Sequence, residues 1–355
     1  MMERLSQSYR LLLLYCFQEA PSLIPALKSG KYYIKWKQLS NLPAPLYNAY
    51  TAIQQNRIYV TGGYSPAEDA MQSVHVYDMS TDCWNKLPLS GHYCGIPHII
   101  GGRLVLIGGR LSSTKKITNK VSTFYEASQT WISYYPDLLS ARHRPGVATH
   151  LEYIIVAGGA DISINDEKTM LDDIEVLDWT KNIQWKKISL LLLPRPMNSF
   201  TPIISGEYFM IIGYWVETMA IDNSVFQISV SDIVQLISGS NAKPDPWTQL
   251  TSVVHYGFRV APVLSCCQPV VLGGYQDTLS TSDIKIYDFS DHKWKVIGSL
   301  SFARCAAGVV AVNDNAIIVI GGCVRGHSRP DAMSSSLITV ELGQAELIKP
   351  SILPF

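Results

Sequence analysis

Tyrosine and arginine recur in this chain beside glycine pairs, and together they supply one kind of chemistry. A guanidinium fork holds a carboxylate through two parallel hydrogen bonds, and a phenol ring covers apolar surface while keeping a polar tip. Tyr64, Arg110, Tyr214, Tyr275 and Arg325 come just after such glycines. Tyr47, Tyr93, Arg142, Arg144, Arg195, Tyr256, Arg259, Phe302 and Arg304 stand ahead of the apolar runs that lead to the next ones. These residue types anchor protein interfaces. Their grouping points to capture of a peptide or loop, with arginines pairing its carboxylates and tyrosines packing its apolar groups.

Groups for catalysis show no such order. The eight histidines form no His-x-x-x-His or His-Glu-x-x-His spacing, so the one-face pair that grips zinc does not arise. His98 and His150, near the ends of apolar runs far apart in the chain, are weak grounds for a metal. No Gly-x-Ser-x-Gly elbow or phosphate-binding loop occurs. No catalytic residue, metal or cofactor is assigned, and an enzyme acting on a carbohydrate or small molecule stands as an alternative only. Lys plus Arg and Asp plus Glu are 29 each, so no whole-molecule field draws nucleic acid or an anionic membrane.

The elements that would position these side chains are repeated. The glycine pairs are Gly62 and Gly63, Gly108 and Gly109, Gly158 and Gly159, Gly273 and Gly274, and Gly321 and Gly322, with a worn copy at Ile212 and Gly213. Their first positions lie 46, 50, 54, 61 and 48 residues apart. Each copy begins with a strand-length run and continues with a wholly apolar strand that ends at the glycines, such as RIYVTGG or IIVIGG. An alternating strand such as Ser73 to Asp78 follows, and its alternation predicts one wetter face. A tryptophan then opens the last strand, at Trp84, Trp131, Trp185, Trp247 and Trp294. Four short strands per period make one blade of a propeller. The apolar second strand belongs inside its sheet, and the glycines turn the chain where space is short.

Trp36 precedes every glycine pair, whereas the last copy has a third strand at Leu337 to Leu342 and no tryptophan after it. The two ends complete each other. The sequence therefore predicts an all-β fold: a six-bladed β-propeller of four-stranded antiparallel blades, with residues 34–40 closing the last blade. The propeller is expected over 34–342, with a helix and linker over 1–33 and a tail over 343–355. In the N-terminal part, Leu11 to Phe17 (LLLLYCF) suggests a secretion signal, but Glu19 and Pro21 stand where a small-residue cleavage site belongs. The reading preferred is an amphipathic helix from about Glu3 to Ala20.

With apolar strand, Gly-Gly, Tyr-Asp (Tyr77 and Asp78; Tyr287 and Asp288) and Trp in that order, the chain resembles the kelch-repeat β-propellers over Trp36 to about Leu342. The fourth copy departs from the pattern, since Tyr214 replaces the second glycine, Tyr-Asp is missing and 33 residues separate Gly213 from Trp247. The resemblance implies a non-catalytic protein-binding module. Substrate receptor of a ubiquitin ligase and scaffold are the roles it suggests first, with actin or cytoskeletal binding as an alternative. A ligase role takes its BTB or F-box segment from outside these residues. Seven cysteines without a Cys-x-x-Cys spacing read as buried thiols of a reducing compartment, and the expected location is cytoplasmic. The partner's identity and the oligomeric state are not legible.

Overall fold

The computed structural model describes residues 32–67, 72–162, 168–181, 183–215, 221–239, 246–253, 259–261, 269–276, 279–313, 316–324 and 336–347. Six four-stranded antiparallel sheets follow one another along the chain. Blade 1 consists of Tyr50–Gln54, Arg57–Thr61, Val74–Asp78 and Cys83–Lys86, and blade 2 of Ile96–Ile100, Arg103–Ile107, Val121–Tyr125 and Thr130–Ile132. Blade 3 is Gly146–His150, Tyr153–Ala157, Ile174–Asp178 and Lys186–Lys187; blade 4 is Thr201–Ser205, Tyr208–Trp215, Ile221–Ser229 and Thr248–Leu250. Blade 5 is Arg259–Ala261, Val270–Leu272, Asp283–Asp288 and Lys293–Ser299. Blade 6 takes Gly308–Asn313, Ala316–Ile320 and Val340–Leu347 from one end of the chain and Tyr32–Gln38 from the other.

Ring closure is thus a sheet register, with Trp36 opposite Gly343 and Tyr32 opposite Leu347. The last third strand runs to Leu347 rather than ending at 342, so residues 343–347 belong to blade 6 and not to a tail. The long pairing follows from closure, because each residue added to the seam joins the two chain ends. The helix expected from about Glu3 to Ala20 lies outside the described residues, and the closing strand runs over Tyr32–Gln38 in place of 34–40.

The hydrophobic core lies between blades. Six clusters of buried side chains each span one pair of neighbours, including blades 6 and 1 across the seam. This explains the continuous apolar second strands, since successive side chains point to opposite faces. Tyr59 packs toward blade 2 while Val60 packs toward blade 6, and Leu106 and Ile107 divide between blades 1 and 3 in the same way. In blades 1 and 3 the third strand is drier than its alternation predicts, with Val74 to Tyr77 and Ile174 to Leu177 buried on both faces. Blade 5 keeps the alternation, with Ile284 and Ile286 buried and Asp283 and Lys285 half-buried. In blade 1 Tyr77 is buried with its polar end bonded, as its hydroxyl donates to Asp82 at 2.5 Å.

Six of the eight tryptophans are also polar ties between blades. The indole Nε1–H of Trp84 donates to Ser40 O at 2.9 Å, Trp131 to Pro88 O at 2.7 Å and Trp185 to Pro136 O at 2.8 Å. Trp247, Trp294 and Trp36 repeat this to Leu192, Thr251 and Ser299 at 2.8, 2.9 and 3.0 Å. Each acceptor lies just after the outer strand of the preceding blade or at its last residue, so every blade grips its neighbour at the rim of the wheel. In blade 4, where the sequence pattern frays, the extra residues hold a helix, Val230–Ile237, capped by the Ser229 hydroxyl accepting from Ser231 N–H at 3.2 Å. Val230 and Ile233 bury its inner face against blades 3 and 4. Among the described residues no helix is long and apolar enough to cross a membrane.

Candidate binding face

Two sets of loops meet on one side of the wheel: those that follow the glycine pairs and those that lead into each first strand. Backbone bridges join them within a blade, Tyr47 to Tyr64 in blade 1, Tyr93 to Arg110 in blade 2, His143 to Ala160 in blade 3 and Cys305 to Cys323 in blade 6. The glycines make this approach possible. Gly108 has φ +66°, and a Cβ there would stand 2.5 Å from the Arg142 carbonyl, which accepts the Gly109 N–H at 2.8 Å.

Counting back from the first strand in blades 1, 2, 3, 4 and 6, the fourth residue is buried and the second sits in a left-handed turn. The buried position holds His92, Arg142 and Arg304 in blades 2, 3 and 6. Arg142 is fully buried; it donates to Gly158 O at 2.8 Å, to Asp173 Oδ2 at 3.0 Å and to Glu175 Oε1 at 2.5 Å. Arg304 repeats this with Gly321 O at 3.3 Å and Glu341 Oε2. His92, which the sequence reading left out, does the same with Gly108 O at 2.7 Å and Ser122 Oγ at 2.8 Å. The partner side chain is in each case the second residue of the third strand. Burial opposes the charge on Asp173, but Arg142 and Lys187 outweigh it and hold the carboxyl below its ordinary range. Arg142 and Arg304 therefore leave the set of partner-binding candidates: their guanidinium groups are enclosed and committed to acids of their own blades.

The left-handed position carries Asn48, Cys94, Arg144, Ser199 and Ala306, all at φ between 54° and 57°. At this position the Arg144 guanidinium lies 4.7 Å from the ring centroid of Tyr64, two blades away. Tyr64 in turn stacks on Tyr47 at 5.3 Å. Among the described residues no carboxylate lies within ion-pair distance of Arg144. Burial pushes the neighbouring Cys94 thiol up, against the pull of the Arg144 charge, so it stays a neutral thiol.

The other candidates divide clearly. Tyr93 is half-buried beneath Lys115, whose Nζ is 5.1 Å from the ring, and Arg110 donates to the Lys115 carbonyl at 2.9 Å. Arg195 is exposed, 5.8 Å from the Phe226 ring. Tyr275 and Tyr47 pack from two sides on Cys305, Ala306 and Cys323, making one strip across blades 5, 6 and 1. Phe302 lies face to face with the Arg304 guanidinium at 3.7 Å and screens it. Tyr214 is not in a loop, because the second strand of blade 4 runs on to Trp215, and Arg259 is the first residue of its strand. Both lack described side chains, and Tyr256 and Arg325 lie outside the described residues.

Beneath this mouth the first strands enclose a cavity of about 310 Å³ lined by residues such as Tyr50, Pro97, His98, Val147, Pro202 and Val309. His98 Nε2 and Thr149 Oγ1 share a hydrogen bond at 2.5 Å, and burial draws the His98 pKa down to about 4, so the ring is neutral at neutral pH. Among the described residues no three His, Cys, Asp or Glu side chains are placed to hold a metal.

A family model, the KLHDC2/KLHL20/DRC7 kelch-repeats domain, matches residues 32–213. The chain belongs to the kelch-repeat family. This kelch protein is 22% identical over 304 residues to human Kelch-like protein 34, covering 78% of this chain and 43% of that one. It is 25% identical over 153 residues to alpha-scruin of Limulus polyphemus, covering 41% of this chain and 16% of the relative. The kelch chain thus spans less than half the length of these relatives. Among solved structures, that of YjhT superposes with a TM-score of 0.64 at 13% identity, covering 85% of this chain and 95% of that one, which shows the shared fold.

Proposed function

We propose that this kelch propeller captures an acidic peptide or loop of a partner protein at the mouth of the ring. One observation carries the reading. Arg144 stands at the mouth on the face of Tyr64, and the two other well-placed arginines of the sequence, Arg142 and Arg304, already hold carboxylates. A guanidinium desolvated on an aromatic face gains more from a carboxylate than one in open water. Tyr47, Tyr64, Tyr93 and Tyr275 supply flat, half-buried surface around it, and Arg110 and Arg195 add positive charge on the same side. The partner's acid would pair with Arg144 while an adjoining apolar side chain packs on the strip from Tyr275 to Tyr64.

Two roles use such a face. As a substrate receptor, the chain would present its captured partner to a ubiquitin ligase; as a scaffold, it would hold the partner beside a third protein. Co-purification of ligase subunits separates the two. The binding step itself is tested by panning the full chain against a displayed peptide library. Enriched peptides should carry Asp or Glu next to an apolar residue, bind more weakly as salt rises, and lose at least about tenfold in affinity when Arg144 is replaced by Asn, the size of one charged contact. Enrichment of peptides without an acid, or binding indifferent to Arg144, sinks the reading. Binding of the full chain to actin filaments with the Arg144 face left accessible would favour the cytoskeletal alternative.

A further inference from the structure

Under the strip that joins blades 5, 6 and 1 lie two cysteines in direct opposition. Cys305 N–H donates to Cys323 O and Cys323 N–H to Cys305 O, both at 2.8 Å, so the two form a hydrogen-bonded antiparallel pair. Such a pair holds its Cα atoms about 5.5 Å apart, inside the range a disulfide spans. The Sγ atoms are 3.3 Å apart, and the residues are 2% and 1% exposed. Tyr47 and Tyr275 both pack on them. The two sulfurs already lie against each other across the pair.

We infer that Cys305 and Cys323 are a reversible dithiol–disulfide pair set into the binding face, with a peroxide as oxidant. One thiol gives up its proton and its sulfur attacks a peroxide oxygen, breaking the O–O bond to give a sulfenic acid; the leaving hydroxide takes that proton and departs as water. The second sulfur then displaces the hydroxyl group, forming the S–S bond and a second water. Two electrons pass from the sulfurs to the peroxide, and a dithiol reductant returns them. The bond draws together the loop leading into blade 6 and the loop leaving its glycine pair, directly beneath Tyr47 and Tyr275. Control of partner capture by this bond rests on the reading of the face given above; formation of the bond does not.

The sequence offers a direct assay, because trypsin cuts after Arg304 and Arg325 and leaves both cysteines on the single peptide 305–325. The folded full chain is treated with hydrogen peroxide, quenched with N-ethylmaleimide, denatured and digested. The expected peptide has lost two hydrogens and carries no maleimide, dithiothreitol restores two reactive thiols, and Cys305→Ser forms no internal bond. Two maleimides after oxidation, added oxygen without a bond, or linkage to any other cysteine overturns the inference. The near-ultraviolet tyrosine dichroism should change with the bond and recover on reduction. If the bond forms while this band and the affinity for Arg144-dependent peptides both stay constant, control of the face is overturned and the face itself stands.

Discussion

Arg142 and Arg144 are separated by one residue, and they serve two different layers of the molecule. The inner layer, made by the fourth residue before the first strand, is a bolt at Arg142 and Arg304: the backbone carbonyl accepts from the second glycine of the preceding blade, and the side chain reaches the first glycine and the third strand of its own. The outer layer, two residues on, is set by a left-handed backbone turn that blades 1, 2, 3, 4 and 6 share. Polar bolts hold blades 2, 3 and 6, whereas blades 1 and 4 put Leu46 and Met197 in the same place within apolar clusters. The position is therefore fixed by geometry and tolerant in chemistry, provided both partners change together. A buried pair left half-made is costly even where its hydrophobic replacement is not.

The largest effect follows from that asymmetry. Arg142→Ala leaves Glu175 and Asp173 buried beside one lysine, and should cost about 3 to 5 kcal/mol in chemical denaturation. Adding Glu175→Leu to Arg142→Met should cost less than the two single changes summed, by about 1 to 3 kcal/mol, in a double-mutant cycle. Strict additivity would show that the bolt is not a unit. Some of the remaining loss comes from the Leu139 and Ser140 N–H groups, which donate to Glu175 at 2.8 and 3.0 Å. Next in size is the tie at the wheel's outer edge. Trp185→Phe keeps most of the ring's area but orphans the Pro136 carbonyl, at a cost of about 1 to 3 kcal/mol, readable as a fall in Tm.

These ties mark how far sequence reading reaches. The period, the six blades and the seam at Trp36 are legible because tryptophans and glycine pairs recur by type. The polar half of each tryptophan is not, since its acceptor is a backbone carbonyl more than 40 residues away or, for Trp36, 263 residues away. Arg142 and Arg144 look alike in Arg-His-Arg. The distinguishing signal lies elsewhere in the chain, in an acid at the second position of the third strand, present as Glu175 and Glu341. His92 escapes notice for the same reason, because its partner is a serine. The helix Val230–Ile237 has its apolar residues at helical spacing, but a reader expecting a blade's outer strands passes over it.

Acid separates the layers further. His98 has a pKa near 4 against 6.5 for a solvated imidazole. Its unfolded form thus binds more protons, so its contribution is complete above pH 6.5 and is lost as pH falls toward 4. Allowing for its position on the channel wall, His98→Gln should remove about 1 to 2 kcal/mol of the difference in stability between pH 7 and pH 4. Asp173, with its pKa lowered, acts in the same direction at lower pH. An unchanged pH profile in the variant would place the histidine in water and the channel open at that point.

The smallest expected effect on stability carries the most weight for function. Arg144→Asn installs the residue that blade 1 uses at the same left-handed position, Asn48, so the turn is kept. The contact with the Tyr64 ring is lost, together with the charge beside Tyr50 and Cys94, and the folded state should change by about 0.5 to 1 kcal/mol. If the variant keeps its fold at so little cost and loses the proposed capture of acidic peptides, Arg144 is held for what it binds and not for the fold. Were Arg144→Asn instead to destabilise the chain as Arg142→Ala does, Arg144 would join the inner layer, and the distinction between bolt and mouth would vanish.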